Sequence, residues 1–311
     1  MSALICGSIA FDTLMSFEGR FADEILPDHV HRLNVSFLVP NLDRQFGGCA
    51  GNIAYSLNLL GGEGYAMGTV GKDFHPYQDW LDQHGISRKY VKEIEDTYCA
   101  QAYITSDADG NQFTAFHPGA MNHAHEQHVP TDDSIDLGVI APDGKDGMVQ
   151  HAKQFADAGI DFIFDPGQGL PMFDGDELKT AIDQAAYVSV NEYEAQVIGE
   201  KTGLSVAEIA ARVKAFIITS GADGATIHVG GRTINVPAAT PASVNDPTGC
   251  GDAFRAGLIV GLQEGYDWEI TGRMATLMGT IKVEHDGTQN HALTRDEFRA
   301  RFEREFERKV A

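Results

Sequence analysis

The chain has 311 residues, 43% of them hydrophobic, enough for one large domain with a sizeable core. Its formal net charge of −22 argues against nucleic acid and anionic membrane as partners. The same charge repels nucleotides, so any bound phosphate has to be met by local amides or a metal.

Met1 to Met15 has no basic start and is broken by Gly7, Ser8 and Asp12, unlike a signal peptide. No apolar run approaches the roughly 18 residues of a membrane span. Cys6, Cys49, Cys99 and Cys250 lie far apart without a CxxC pair. Reduced thiols in the cytoplasm are therefore expected, rather than a disulfide framework or a zinc site. Ala3 to Gly7 reads as a buried strand, with Asp12 at its C-terminal side. In open α/β sheets that side takes the ligand, and a carboxylate there can accept from two sugar hydroxyls. A solvated loop aspartate fits the same position.

Residues 13–45 contain no long helix, and His31 to Val39 alternates as a strand does. Phe46-Gly47-Gly48-Cys49-Ala50-Gly51-Asn52 then opens a helix, Ile53 to Leu60, ended by Gly61-Gly62. Tyr98 to Thr105 and Gln112 to Phe116 are strands around an Asp-Gly turn, a hairpin. With residues 13–45 they form a small β-sheet lid over about 13–45 and 96–118. Phe113 or Phe116 can stack on a purine, although either also suits a core. His117, His123, His125 and His128 form a histidine-rich patch without a zinc frame, so a solvated loop is expected. His117 and Met121, beside the lid, are candidates to line a pocket.

From Ile135 strands and helices alternate. Leu137–Ile140, Asp161–Asp165, Tyr187–Asn191 and Ala215–Thr219 are strands. Met148–Ala158, Leu178–Ala186 and Glu192–Glu200 are helices. This alternation predicts a mostly parallel sheet covered on both faces. Polar groups follow three of the strands: Asp165-Pro166-Gly167-Gln168, Asn191-Glu192-Tyr193-Glu194 and Thr219-Ser220-Gly221-Ala222-Asp223-Gly224. There is no P-loop. Asn245-Asp246-Pro247-Thr248-Gly249-Cys250-Gly251-Asp252 makes a tight turn into a long apolar helix. The unpaired amides at such a start can converge on an anion. Asp252 in the same place suits a base working beside that anion, and equally an ordinary helix start. Met274 to Glu284 is a helix, and Phe298, Phe302, Phe306 and Val310 mark an amphipathic one at the C-terminus.

The stretch Asn245 to Gly257 resembles the C-terminal signature of the ribokinase-like (PfkB) carbohydrate and nucleoside kinases. Cys250 departs from the family's Gly, Ala or Ser, but it is small and keeps its amide. Gly47-Gly48, Asn52, Gly61 and Gly71 stand at the spacings of the N-terminal signature, and Gly71-Lys72-Asp73 resembles a further landmark. The resemblance covers Ala3 to about Asn290. It implies a single domain, 1–311, with a ribokinase-like three-layer α/β sandwich, a mostly parallel central sheet and the β lid.

The resemblance implies ATP and Mg2+ as cofactors and a γ-phosphoryl transfer. Asp252 is then the base, and Gly249, Cys250 and Gly251 supply the anion hole. Asp12, Gly48 and Asn52 hold ribose hydroxyls. Asn191 and Glu194 serve phosphate and magnesium, the latter through water. Thr219, Ser220, Gly221, Ala222, Asp223 and Gly224 form the nucleotide loop, and the segment with Asp246 and Thr248 can help cage a monovalent cation such as K+. The segments around Gly48, Phe113 to Met121 and Gln168 are similar to the adenosine (nucleoside) kinase branch of bacteria and archaea. The expected substrate is therefore a purine nucleoside phosphorylated at its 5′-hydroxyl, adenosine first, then inosine or guanosine. A sugar kinase of the ribokinase or fructokinase type is the alternative, needing no aromatic slot. A non-catalytic binding protein on this fold is more distant, since it would be expected to lose Asp252. An exposed lid sheet also invites a homodimer.

Overall fold

The computed structural model describes residues 2–25, 34–130 and 135–310. A nine-stranded sheet runs through it in the order β13-β12-β11-β10-β9-β8-β1-β4-β5. These strands are β1 (Ala3–Cys6), β4 (Gly64–Gly71), β5 (Tyr90–Ile94), β8 (Leu137–Ile140), β9 (Phe162–Phe164), β10 (Tyr187–Asn191), β11 (Ala215–Thr219), β12 (Ala225–Val229) and β13 (Arg232–Val236). From β5 to β11 every pairing is parallel; β12 and β13 add an antiparallel edge. The central parallel strands β1, β8 and β9 are continuously apolar rather than alternating because both of their faces are covered.

Alternation within β1 shows the layers. Ala3 and Ile5 join a core with α2 (Cys49–Leu59), α8 (Cys250–Gln263), α9 (Trp268–Val283) and α10 (Arg295–Phe306). Leu4 and Cys6 face a second core with α4 (Lys145–Ala158), α5 (Gly175–Gln184) and α6 (Glu192–Thr202). This is the three-layer sandwich expected. Several helix starts are locally encoded. Asp174 with Glu177, Asn191 with Glu194 and Thr294 with Glu297 form capping boxes.

A second sheet, in the order β3-β2-β6-β7, forms the lid. It comprises β2 (Ala10–Ser16), β3 (Asn41–Gly47), β6 (Ala100–Ser106) and β7 (Gln112–His117). The β6–β7 hairpin turns through Gly110 at φ 83° as expected, while β2 and β6 run parallel, so the lid is a mixed sheet.

Three local expectations change. His31, Arg32 and Leu33 lie outside the described residues, and Asn34 to Val39 form no strand. The strand begins after Pro40, which has no N–H to offer a ladder. Helix α2 starts four residues earlier than the periodicity implies, because Gly48 at φ 85° is its N-cap. The histidine-rich segment is a 3-10 helix, Gly119–Glu126, with Ala124 buried and His123 bonded to Glu126 at 2.8 Å, rather than a solvated loop.

Helices α8 and α9 touch through Gly257. A Cβ there would lie 2.7 Å from both the Ala275 Cα and the Met274 carbonyl, which are backbone atoms with no room to yield. Gly257→Val is therefore expected to cost about 1–3 kcal/mol, as overpacking does. The check is a lower urea midpoint at unchanged slope. A midpoint equal to that of the unaltered chain would show the two helices to be more compliant than this contact implies.

Candidate active site

The site is built on the first turn of α8. Gly249 takes φ 80°, and the helix begins at Cys250. The Cys250 amide closes the turn on the Pro247 carbonyl at 3.2 Å. Among the described residues, the amides of Gly249, Gly251 and Asp252 have no backbone acceptor. These three, rather than the Cys250 amide, form the open donor set expected of an anion hole.

Asp252 ends a one-way chain of hydrogen bonds. The Trp80 indole donates to Gln289 Oε1 at 2.9 Å, Gln289 Nε2 to Asn52 Oδ1 at 3.0 Å, and Asn52 Nδ2 to Asp252 Oδ2 at 2.8 Å. An indole can only donate, which fixes the orientation of Gln289, and that in turn fixes Asn52. The last group in the chain must accept, as a carboxylate does. Burial pushes the Asp252 carboxyl up to about 7, against the Asn52 hydrogen bond that favours its ionised form; Asp165 raises it further and Arg255 opposes.

Beneath this turn lies a buried ion pair. Arg255, 5% exposed, meets Asp165 through Nε at 2.9 Å and Nη2 at 3.0 Å. Nη2 also donates to the Ser189 carbonyl at 3.1 Å, and Nη1 to the Gly251 carbonyl at 3.3 Å. One guanidinium thus ties the end of β9 and the middle of β10 to the anion-hole turn.

The segment before the hole is a second hub. The Asp246 carboxylate accepts the Thr248 amide at 2.8 Å and the Gly287 amide at 2.9 Å. Burial raises its pKa, but these donors and Lys282 outweigh that and leave it below the usual range. The Asp246 carbonyl, expected to help hold a monovalent cation with Thr248, instead accepts from Lys282 Nζ at 2.7 Å. An ammonium already engages the group that a cation would need.

On the lid side, Asp12 approaches so closely that a Cβ on Gly47 would lie 2.5 Å from its Oδ2. Only glycine allows this contact. Burial, then the charge of Asp246, raises the Asp12 carboxyl to about 6. Gly48, at φ 85°, packs on the Ser8 carbonyl.

Sheet register separates the two aromatic candidates. Asp12 pairs with Ala102 and Ala102 with Phe116, so Asp12 and Phe116 share a row and a face. Phe113 lies three residues from Phe116, on the other face. Its ring packs on Phe21 and Phe37 at 4.6 and 6.4 Å between centroids. Of the two aromatic candidates, Phe116 and not Phe113 therefore shares the Asp12 face. His117 folds back over Gly119, and Met121 is half-buried against Gly144.

Around the rim, Gln168 is exposed on a 3-10 turn after β9. Asn191 and Glu194 bond each other's backbone amides at 2.8 Å. Burial raises the pKa of Glu194, with Asp165 adding to it. Thr219 to Gly224 forms a tight turn after β11, closed by the Ser220 amide on the Gly224 carbonyl at 2.8 Å. Ser220 Oγ also donates to Glu192 at 3.0 Å, leaving Gly221, Ala222 and Asp223 exposed.

Residues 19–295 match the family model described as pfkB family carbohydrate kinase. The chain belongs to the PfkB family. Its reaction class is accordingly phosphoryl transfer to a hydroxyl group. The chain is 54% identical to the Burkholderia thailandensis nucleoside kinase solved in complex with inosine, with a TM-score of 0.90 and 99% of each chain covered. The same kinase in complex with ADP-inosine aligns with a TM-score of 0.87 at 56% identity, over 99% of this chain and 97% of that one. A nucleoside kinase of Methanocaldococcus jannaschii is 30% identical over 275 residues, 87% of this chain and 90% of its own.

Sequence reasoning on this PfkB chain missed Gln289, Arg255 and Lys282. Arg255 lies inside the recognised stretch, and a cation in an apolar helix was a usable signal. Gln289 and Lys282 stand out less, because the partners of Gln289, and the Asp246 carbonyl on Lys282, come from distant segments. Arg255→Met leaves the Asp165 charge buried and unpaired, so a loss of about 3–5 kcal/mol is expected on chemical denaturation. Adding Asp165→Asn should recover part of it. A single variant as stable as the unaltered chain would show that water reaches the pair.

Proposed function

We propose that the protein is an ATP-dependent nucleoside kinase that phosphorylates the 5′-hydroxyl of purine nucleosides. The observation that carries this reading is Asp252. It is an acceptor held by the Trp80–Gln289–Asn52 chain, beside open amides, in a relative of an inosine-bound nucleoside kinase.

Asp252 takes the proton of the attacking hydroxyl. The amides of Gly249, Gly251 and Asp252 stabilise the phosphoryl oxygens in flight. Asp12 receives the ribose hydroxyls, and Phe116, in its row, offers a face to the base. The turn Thr219 to Gly224 receives the nucleotide. Magnesium neutralises the phosphates when bound with ATP, and Glu194 suits contact with it through water, since that ion keeps oxygen ligands and several waters. ATP supply makes the cytoplasm the natural location. Inosine, held by the solved relative, joins adenosine among the expected acceptors.

The test is phosphorylation of adenosine, inosine, guanosine, cytidine, ribose and fructose with ATP and magnesium. Purine nucleosides should turn over, and free sugars should not. Turnover of sugars alone would replace the nucleoside reading with a sugar kinase. Asp252→Asn should lower kcat by about 10²–10⁴-fold, the usual contribution of a general base. A base must be ionised, so kcat/KM should fall as the pH drops through about 7, where Asp252 titrates. A flat profile from pH 5 to 8 would remove Asp252 from that role.

The lid face turned away from Asp12 exposes Leu42, Tyr103 and Phe113. This apolar surface suits pairing with a second lid in a homodimer. Light scattering should give twice the chain mass; a monomer mass would refute the pairing.

A further inference from the structure

Among the described residues, two Lys or Arg side chains are buried: Arg255 and Lys282. Both donate to carbonyls of the short stretch that forms the anion hole, Arg255 to Gly251 and Lys282 to Asp246. Arg255 has a buried carboxylate opposite it in bidentate contact. Lys282 is different. It is 0% exposed, and its ammonium is held mainly by backbone oxygens, Asp246 O at 2.7 Å and His285 O at 3.0 Å. The Asp246 carboxylate lies further away at 3.6 Å. Two of its three donors thus meet backbone oxygens at hydrogen-bond distance, with the carboxylate as a longer ion pair.

Taking a charge this far out of water costs several kcal/mol, so its retention calls for a reason. The geometry supplies one. Lys282 lies in the last turn of α9, and the oxygens around it belong to the two segments that frame the hole. The Asn245 and Asp246 amides donate to the Val283 carbonyl, and Asn245 Nδ2 donates to the Glu284 carbonyl. Gly287 donates to Asp246 from the other side. Lys282 sits at the centre of this knot. Its charge also reaches the hole itself: it lowers the pKa of the Cys250 thiol, which burial holds up at about 11. A compact, strongly solvated point charge suits a cage of carbonyls better than a planar guanidinium does.

We infer that Lys282 is the built-in monovalent cation of the phosphoryl site. Its ammonium fills the carbonyl cage formed by Asp246 and His285. It holds the turn Asn245 to Gly249 in its anion-binding shape and adds fixed positive charge behind the amides. It acts as a positioning residue, and the enzyme needs no added monovalent cation. This rests on the kinase reading above.

The experiment uses the full chain and Lys282→Ala with ATP, magnesium and inosine. The only other cation is tetramethylammonium, too large for the cage; KCl or NH4Cl is then added. The unaltered enzyme should change by less than about twofold on adding either salt. Lys282→Ala should lose about 10²-fold in kcat, as when a preorganised electrostatic group is removed, with a smaller change in KM. Potassium or ammonium should restore part of that loss. ADP affinity by calorimetry is a second readout, expected to be salt-insensitive in the unaltered enzyme and potassium-dependent in the variant. Stimulation of the unaltered enzyme by more than about tenfold with potassium overturns the inference. So does a variant whose kcat stays within about twofold in tetramethylammonium, or a loss that neither salt restores. If Lys282→Ala does not fold, the unaltered enzyme alone decides, through turnover and ADP binding. If no nucleoside or sugar turns over in any salt, the kinase reading fails while ADP binding still judges Lys282.

Discussion

A chain with a net charge of −22 that handles phosphates has to create a positive site against its own field. The first turn of α8, where three amides stand open among the described residues, is suited to that. Two buried cations underlie that turn, Arg255 from within α8 and Lys282 from the end of α9. The rest of the architecture serves to bring them there. β9 ends where Asp165 can hold Arg255, β10 offers it the Ser189 carbonyl, and α8 meets α9 closely at Gly257.

Asp252 is positioned by a different device. Trp80, Gln289, Asn52 and Asp252 come from four segments, and each hydrogen bond dictates the direction of the next. Such a chain polarises along its length and leaves the carboxylate a single orientation. It also sets two influences on Asp252 against each other, burial favouring the neutral acid and Asn52 favouring the ion. A carboxyl balanced in this way titrates near neutrality, where a general base works best.

The lid contributes by register. A strand's side chains alternate, so Asp12 and Phe116 can share a face only because β2, β6 and β7 align Asp12, Ala102 and Phe116 in one row. The same alternation turns Phe113 outward, into contact with Phe21 and Phe37. Two phenylalanines equivalent in sequence are thus turned to opposite faces by pairing alone.

Local chemistry made much of this protein legible in sequence. The continuous apolar runs Leu137–Ile140, Tyr187–Asn191 and Ala215–Thr219 are strands with the expected bounds, because a strand buried on both faces needs no partner to be recognised. The Asp-Gly hairpin and the turn into α8 likewise depend on nearby residues. Gly230-Gly231, at φ 54° and 72°, carry a local signal for the β12–β13 hairpin. Asp252 and Asn52 were visible as candidates because they stand in recognisable stretches. Their direct contact was not, nor were Gln289, the depth of Arg255 or the choice between Phe113 and Phe116. Lys282 is the clearest case. In sequence it is one more lysine near a helix end, favourable to the helix dipole. Only the packing of α9 against the Asn245 to Gly249 turn makes it a buried cation on carbonyl oxygens, because the Asp246 carbonyl comes from a segment 36 residues away. The sequence by itself determined the elements and the reaction class, since both lie in short-range patterns. The tertiary structure decided charge placement, proton-acceptor geometry and the choice of lid aromatic, since each is a relation between residues that meet only when the chain is folded.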